Sequence, residues 1–192
     1  GIMDAVLVMV QIHDDGAPRQ DMKECMHWLN IAAEKGNKNA QCRLGQILIY
    51  GRGGVERDTQ KGYHWLTFSA QQGYTPAIYI LAELNLLYTN NNQEAMRMGL
   101  NQLTQCIKES YPPAFMLMGQ CYLEGRAVVK DHAQAVKFFQ LSAEHGNINA
   151  ELLLAKLYNG EVEGTDFETN AEEAKKWLGK AAEKGHPVAL HD

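Results

Sequence analysis

The 192-residue sequence is poor in several features that would point to particular protein classes. It has 5 prolines and 4 cysteines, and no two cysteines have the CxxC spacing of a zinc or redox motif. The net charge is −5, so the basic surface of a general nucleic-acid binder is missing. No apolar run approaches the roughly 20 residues that a membrane span requires. We therefore expect no nucleic-acid partner and no membrane span.

What the sequence does contain is a repeated segment. MHWLNIAAEKG at 26–36 returns as KKWLGKAAEKG at 175–185. The glycines that end such segments, Gly36, Gly73, Gly146 and Gly185, are about 37 residues apart or about twice that. One further copy is therefore expected to end near residue 110, where the chain reads CIKESYPP.

Each copy predicts two helices. The helix that ends at the marker glycine, helix B, is about fifteen residues long, and the glycine suits the position just after its end. Helix A follows the glycine and carries a small residue, Ala40, Ala77, Ala114 or Ala150, near its start. The residues predicted to cap the B helices are Asp21, Asp58, Asp131 and Asn170, with Glu24, Gln134 and Glu173 as capping-box partners.

The chain thus divides into about five helix pairs, near residues 5–36, 40–73, 77–110, 114–146 and 150–185. The third pair diverges most: Gln102 replaces the aromatic residue of helix B, and Ser110 replaces the terminal glycine. Its helix B is predicted to start at Asn91, with Glu94 as capping partner. The four cysteines occupy unrelated positions of the repeat, so we expect free, packed thiols. The compartment stays open, although unpaired thiols favour a reducing, cytoplasmic one.

The pattern A-x-x-x-L-G-x-x-Y-x-x-G, G-V-x-x-D, W-x-x-x-A-A-x-x-G resembles the Sel-one-like repeat family, a relative of the tetratricopeptide repeats. It is clearest in AQCRLGQILIYGRGGVERDTQKGYHWLTFSAQQG and AFMLMGQCYLEGRAVVKDHAQAVKFFQLSAEHG. The resemblance implies an all-α, right-handed α-solenoid of about five repeats, forming a single repeat domain over 1–192. PVAL after Gly185 matches the start of another helix A, so the chain is expected to be a fragment of a longer array.

The resemblance also implies a non-catalytic scaffold or adaptor that binds a peptide or protein segment on a concave face lined by the A helices. Residues shared by all copies are expected to pack, and residues that vary are free to recognise a partner. The predicted partner-binding residues are Cys42, Gln46, Ile49, Tyr50, Tyr79, Glu83, Leu86, Met116, Gln120, Leu123, Lys156 and Asn159. Burial of the same apolar stripe inside the array is an equal alternative.

Chemistry is not indicated by any motif. GRGG at 51–54 lacks the GK[ST] ending of a phosphate loop and predicts a turn with positive φ. The acidic EVEGTDFE lacks the residue order of a calcium loop. We therefore predict no catalytic residue, no metal and no cofactor. Two alternatives stay open: an enzyme or small-molecule binder on the same scaffold, and a pure spacer domain.

Overall fold

The computed structural model describes residues 19–89, 92–162 and 168–184, and within them the chain is α-helical with no β-strand. A short 3₁₀ turn spans Arg52–Gly54. The nine α-helices of these residues are α1 Arg19–Glu34, α2 Lys38–Tyr50, α3 Thr59–Gln71, α4 Thr75–Leu87, α5 Gln93–Lys108, α6 Pro112–Glu124, α7 His132–Glu144, α8 Ile148–Tyr158 and α9 Ala171–Glu183.

The helices confirm the predicted alternation. α2, α4, α6 and α8 are A helices, and α1, α3, α5, α7 and α9 are B helices. The chain divides into two compact units, unit 1 ending at Asn85 and unit 2 beginning at Leu86. Each is described by itself below, and the single repeat domain over 1–192 stays a prediction. The first A helix, predicted within 5–18, lies outside the described residues.

The B helices begin where short polar side chains cap them. The Asp58 side chain accepts a hydrogen bond from the Lys61 backbone amide at 2.9 Å, and Asp131 accepts one from Gln134 at the same distance. Asn170 does the same for Glu173 at 3.2 Å. These caps confirm the predicted starts of α3, α7 and α9.

Two predicted helix starts were wrong. Asp21 is not a cap, because α1 already begins at Arg19. In the divergent third pair the cap is Asn92 rather than Asn91, and its side chain accepts from the Ala95 amide at 3.1 Å. Glu94 forms an ion pair with Arg97 at 2.7 Å instead of closing a capping box.

The turn from helix B to the next helix A requires a left-handed residue. Gly36, Gly73 and Gly146 have φ between 70° and 86°, as predicted for the marker glycines. In the third pair Ser110 adopts the same conformation with φ 54°, although its Cβ makes this region unfavourable. The turn geometry is therefore retained after the glycine is lost.

Two substitutions at these turns, glycine for Ser110 and serine for Gly146, are expected to change the free energy of unfolding in opposite directions. Ser110→Gly removes the Cβ strain and should raise the free energy of unfolding by about 0.5–1 kcal/mol. Gly146→Ser, where no atom lies within 4 Å of a built Cβ, should lower it by a similar amount through strain alone. Urea unfolding of both variants checks the pair, and equal signs would contradict it.

The core of unit 1 lies between neighbouring helices. Leu29 on α1 packs with Leu44 on α2, and Leu66 on α3 packs with Leu81 on α4. α2 and α3 approach especially closely at two glycines. A Cβ built on Gly62 would lie 2.9 Å from the Gly45 carbonyl oxygen, so the helices touch backbone to backbone.

Unit 2 uses a similar arrangement. Phe139 on α7, Leu154 on α8 and Trp177 on α9 share one buried cluster. The ring of Phe139 packs against Gly119 on α6, where a built Cβ would lie 2.5 Å from a ring carbon. The positions expected to pack do so to different degrees: Leu44 and Trp177 are buried, while Trp65, Tyr122, Phe138 and Tyr158 are half-buried.

In three repeats, a side-chain contact joins helix A to the end of the following helix B. The contact lies at equivalent positions, but its chemistry differs from repeat to repeat. In each, the residue after the repeat alanine of helix A meets the residue that caps the end of helix B. Gln72 donates to the Gln41 side chain at 2.7 Å, and Lys184 donates to Glu151 at 2.6 Å. The rings of Phe115 and His145 lie 5.0 Å apart. We call these contacts the closing pairs: Gln41–Gln72, Phe115–His145 and Glu151–Lys184.

Candidate partner-binding face

The structure separates the twelve predicted binding residues by exposure. Cys42, Ile49 and Leu86 are between 1% and 4% exposed, so they belong to the core and not to a binding surface. Tyr50, Lys156 and Asn159 are exposed. The six half-buried residues are Gln46, Tyr79, Glu83, Met116, Gln120 and Leu123.

The three core residues correct the prediction for a physical reason. Cys42 and Ile49 lie on the side of α2 that packs against α3 and α4, in a cluster with Leu66, Ile80 and Leu81. Fewer positions of an A helix therefore face solvent than the resemblance to this repeat family implied. Self-burial accounts for part of the apolar stripe and leaves the rest half-buried.

In unit 1, four of the remaining residues form a connected surface, which we call the unit 1 face: Gln46, Tyr50, Tyr79 and Glu83. Gln46 and Tyr50 are one turn apart on α2, and Tyr79 and Glu83 are one turn apart on α4. Residues spaced this way share a helix face. The Tyr50 hydroxyl donates to Glu83 Oε2 at 3.1 Å and ties the two helices together.

A cation lies over the exposed tyrosine of this face. The Arg52 guanidinium is 5.2 Å from the centre of the Tyr50 ring, within the range of a cation–π interaction. Tyr50 is therefore held at its hydroxyl by Glu83 and at its ring by Arg52. A side chain fixed in this way loses little conformational entropy when a partner packs against it.

In unit 2, the predicted residues lie on α6 and α8. Met116, Gln120 and Leu123 are half-buried along one side of α6, and Met116 and Leu123 pack on the unit 2 core. Lys156 and Asn159 are exposed near the end of α8. We call these five residues the unit 2 face. Asn159 donates to Glu161 at 3.1 Å, so the end of α8 is polar.

Sequence reasoning missed a second set of exposed aromatic side chains, on the B helices. On α3, Tyr63 is 38% exposed and Phe68 is 40% exposed. The His64 and Phe68 rings lie edge to face at 4.4 Å. Trp28 on α1 is also at the surface, whereas its counterpart Trp177 is buried. In the sequence, the repeated His–Trp dipeptides at 27–28 and 64–65 were the feature that could have drawn attention to aromatic side chains on the B helices.

The four cysteines are free and buried, as the sequence predicted. Burial raises the pKa of the Cys42 thiol from its ordinary value near 9 to about 12. Burial likewise raises the pKa of Cys106 and of Cys121 to about 11. Such thiols form little thiolate at neutral pH, so none has the character of a nucleophile.

These thiols are expected to link stability to alkaline pH. The unfolded thiol ionises near pH 9 and the folded Cys42 thiol near 12, so the contribution of Cys42 to stability is constant below pH 9 and falls as pH rises toward 12. Cys42→Ala should lose less stability than the wild type between those values, as measured by urea unfolding at several pH values. An identical pH dependence in both proteins would contradict a role for Cys42.

The described residues contain neither a metal-binding cluster nor a membrane-spanning helix. Within 19–89, 92–162 and 168–184, no group of three His, Cys, Asp or Glu side chains is placed to hold a metal ion. No helix in this part of the chain is both long enough and apolar enough to cross a bilayer. GRGG follows α2 as a turn, and Gly51, Gly53 and Gly54 have the predicted positive φ. Most of the acidic EVEGTDFE segment lies outside the described residues.

Comparisons with known proteins agree with this architecture. A family model described as Sel1 repeat matches residues 11–37, 38–74, 113–147 and 148–186. The gap in these matches contains α4 and α5, so the divergent third pair is helical without the family pattern. A search of the curated proteins gives no match.

Solved repeat proteins share the fold. c5321, a protective antigen of uropathogenic Escherichia coli strains displaying an SLR fold, is 29% identical with TM-score 0.70. A Sel1 repeat protein from Oxalobacter formigenes is 32% identical with TM-score 0.64. The matches cover 85% and 87% of this chain but 34% and 47% of those proteins. Immunity protein PA5088 from Pseudomonas aeruginosa, at 17% identity and TM-score 0.51, shares the fold alone. These likenesses confirm the predicted all-α solenoid class.

Proposed function

Since the chain belongs to the Sel1 repeat family, whose members are helical scaffolds that commonly mediate protein–protein interaction, we propose that it binds a peptide or protein segment without catalysis. The proposed contact surfaces are the unit 1 face and the unit 2 face. The chain spans 34% of the c5321 antigen and 47% of the Oxalobacter formigenes repeat protein, so the activity of a whole protein is part of the proposal.

The observation that carries the proposal is the unit 1 face. Its exposed tyrosine is 37% accessible and is fixed in place by a hydrogen bond to the neighbouring A helix. Tyrosine is enriched among residues that dominate binding energy, because it offers a large rigid surface with a polar end. Gln46, next to it on α2, adds an amide that can hydrogen-bond a partner backbone.

The unit 2 face supports the same role with different side chains. Met116 and Leu123 present half-buried apolar surface, and methionine adapts its shape to a partner. Gln120 and Lys156 occupy the position that Gln46 and Glu83 hold in unit 1. Repeats that keep a packing frame and vary these side chains provide a surface for one particular partner.

The test is a selection of random-sequence peptides displayed on phage against the immobilised chain, followed by titration of the selected peptides in solution. Tyr50→Ala is expected to weaken binding of unit 1 ligands at least about tenfold, as for a central interface tyrosine. The matched control is Tyr63→Ala, since Tyr63 is 38% exposed against 37% for Tyr50 but lies on α3, a B helix.

Circular dichroism establishes that both variants remain helical. Specific peptides that lose affinity with Tyr50→Ala and not with Tyr63→Ala support the proposal. A selection that yields no specific peptide, or peptides indifferent to Tyr50 and to a Met116→Ala/Lys156→Gln variant, would leave the spacer alternative.

A further inference from the structure

The unit 1 face carries an acidic group that its counterparts in other repeats lack. Glu83 occupies the sixth position after the repeat alanine, where the other A helices have Gln46, Gln120 and Lys156. The four side chains are all polar, but Glu83 alone among them is negatively charged. This position therefore varies in charge from repeat to repeat, while the helix around it is retained.

The carboxylate of Glu83 has room for a second donor. A carboxylate accepts up to about four hydrogen bonds, and the Tyr50 hydroxyl donates to one oxygen, Oε2. Tyr50 is a neutral donor, so this bond orients the carboxylate without cancelling its charge. Glu83 is also half-buried, which reduces the screening of its charge by water compared with a fully exposed carboxylate.

Two tyrosines flank this charge. Tyr79 precedes Glu83 by one turn of α4, which places their Cβ atoms about 5–6 Å apart. Tyr50 reaches Glu83 from α2. A carboxylate beside aromatic rings suits a cation, because the faces of the rings are electronegative and the carboxylate supplies full charge. The Arg52 guanidinium over Tyr50 shows that one of these rings already receives a cation from the chain itself.

Two arginines of α2 and its following turn lie on the same side of unit 1 as this carboxylate. Arg52 lies on the ring of Tyr50 at 5.2 Å, and the bond to Glu83 is made from the hydroxyl end of the same side chain. Arg43 precedes Tyr50 by seven residues on α2, about 10 Å along the helix axis. Glu83 supplies the negative charge at the junction of Tyr50 and Tyr79.

From this geometry, and resting on the proposed function, we infer that the partner of the unit 1 face is a peptide segment that presents an arginine or lysine to Glu83 between Tyr50 and Tyr79. The cation forms a charge-assisted hydrogen bond with the carboxylate, and its aliphatic stem packs on the tyrosine rings. Gln46, one turn from Tyr50, is then placed to hydrogen-bond the backbone of the same segment.

The experiment uses the peptides selected on phage against the full chain. The expected result is a basic residue common to the peptides whose binding depends on Tyr50. Its replacement by citrulline or norleucine, which removes the charge, should weaken binding about tenfold or more. Glu83→Gln should weaken the parent peptide similarly and leave the neutral peptide nearly unaffected, since Gln can still accept from Tyr50.

The control variant is Glu34→Gln, which removes one negative charge from the exposed end of α1 and should leave both affinities unchanged. Peptides that require Tyr50 but lack a basic residue, or that bind the Glu83→Gln variant as tightly as the wild type, would overturn this inference and leave the proposed function standing. Peptides that bind equally well without Tyr50 would overturn this inference, and they would overturn the proposed function as well if they were also indifferent to the Met116→Ala/Lys156→Gln variant.

Discussion

Gly62→Ala is expected to lower the free energy of unfolding by about 2–3 kcal/mol, which is the range for overpacking at a tight contact. A Cβ at this position would lie 2.7 Å from Cγ1 of Ile49 and 2.9 Å from the carbonyl oxygen of Gly45. The second neighbour is backbone and cannot rotate away, so α2 and α3 would have to separate. The cost arises even though alanine is the better helix former.

The matched control is the same substitution at a helical glycine without neighbours. Gly179 lies within α9, and no atom lies within 4 Å of its built Cβ. Gly179→Ala should therefore raise the free energy of unfolding by about 0.5–1 kcal/mol through helix propensity. Urea unfolding followed by circular dichroism measures both variants. Changes of the same sign would show that the two helices are not in the close contact described.

Lys184→Met is expected to destabilise the chain by about 2–4 kcal/mol, because it leaves a buried carboxylate without its cation. Glu151 is 1% exposed, and its Oε1 accepts from the Lys184 ammonium at 2.6 Å. The other oxygen, Oε2, is buried without a hydrogen-bond partner among the described residues. The Lys184 side chain is 39% exposed, which places the cost below that of a fully enclosed ion pair.

A double variant in unit 2 tests whether the contact between α8 and α9 depends on the charges of its two side chains or on their shape. Glu151→Gln/Lys184→Gln reproduces the Gln41–Gln72 contact of unit 1, where the amide pair is bonded at 2.7 Å. The double variant should recover most of the stability that Lys184→Met loses, since no charge remains buried. Thermal unfolding of the three proteins checks this. A Lys184→Met protein as stable as the wild type would contradict the importance of the pair.

The helix pairs could be predicted well because the same capping residues and marker glycines recur in several copies of the repeat. Asp58, Asp131 and Asn170 mark helix starts, and the marker glycines identify the ends through a backbone conformation that other residues adopt with difficulty. In the divergent third pair the repeat pattern is weaker, and the predicted start of α5 was wrong by one residue. The Asn37 and Asn147 caps follow a marker glycine in both cases and could have been found from GNKNA and GNINA.

The binding face could be predicted only in part, because exposure on an A helix depends on neighbours that are distant in sequence. Cys42 is buried since Tyr79 of the next A helix, and Tyr74 just before that helix, pack on the same cluster. Tyr50, at the far end of α2, extends beyond this cover and bonds Glu83. Helical spacing assigned Cys42 and Tyr50 to one surface, whereas the packing of α4 divides them between core and solvent.

The closing pairs bear on how a chain of similar repeats avoids assembling in the wrong order. If the end of α9 docked on α6, Lys184 would contact the ring of Phe115. Glu151 would then lose its ammonium partner and could contact only the imidazole of His145 or water. An amide, an aromatic and an ionic contact are poorly interchangeable, because the helix A residue of each pair, Gln41, Phe115 or Glu151, is buried. We therefore expect each pair to disfavour docking of a helix on the wrong repeat during synthesis, a common hazard of tandem arrays.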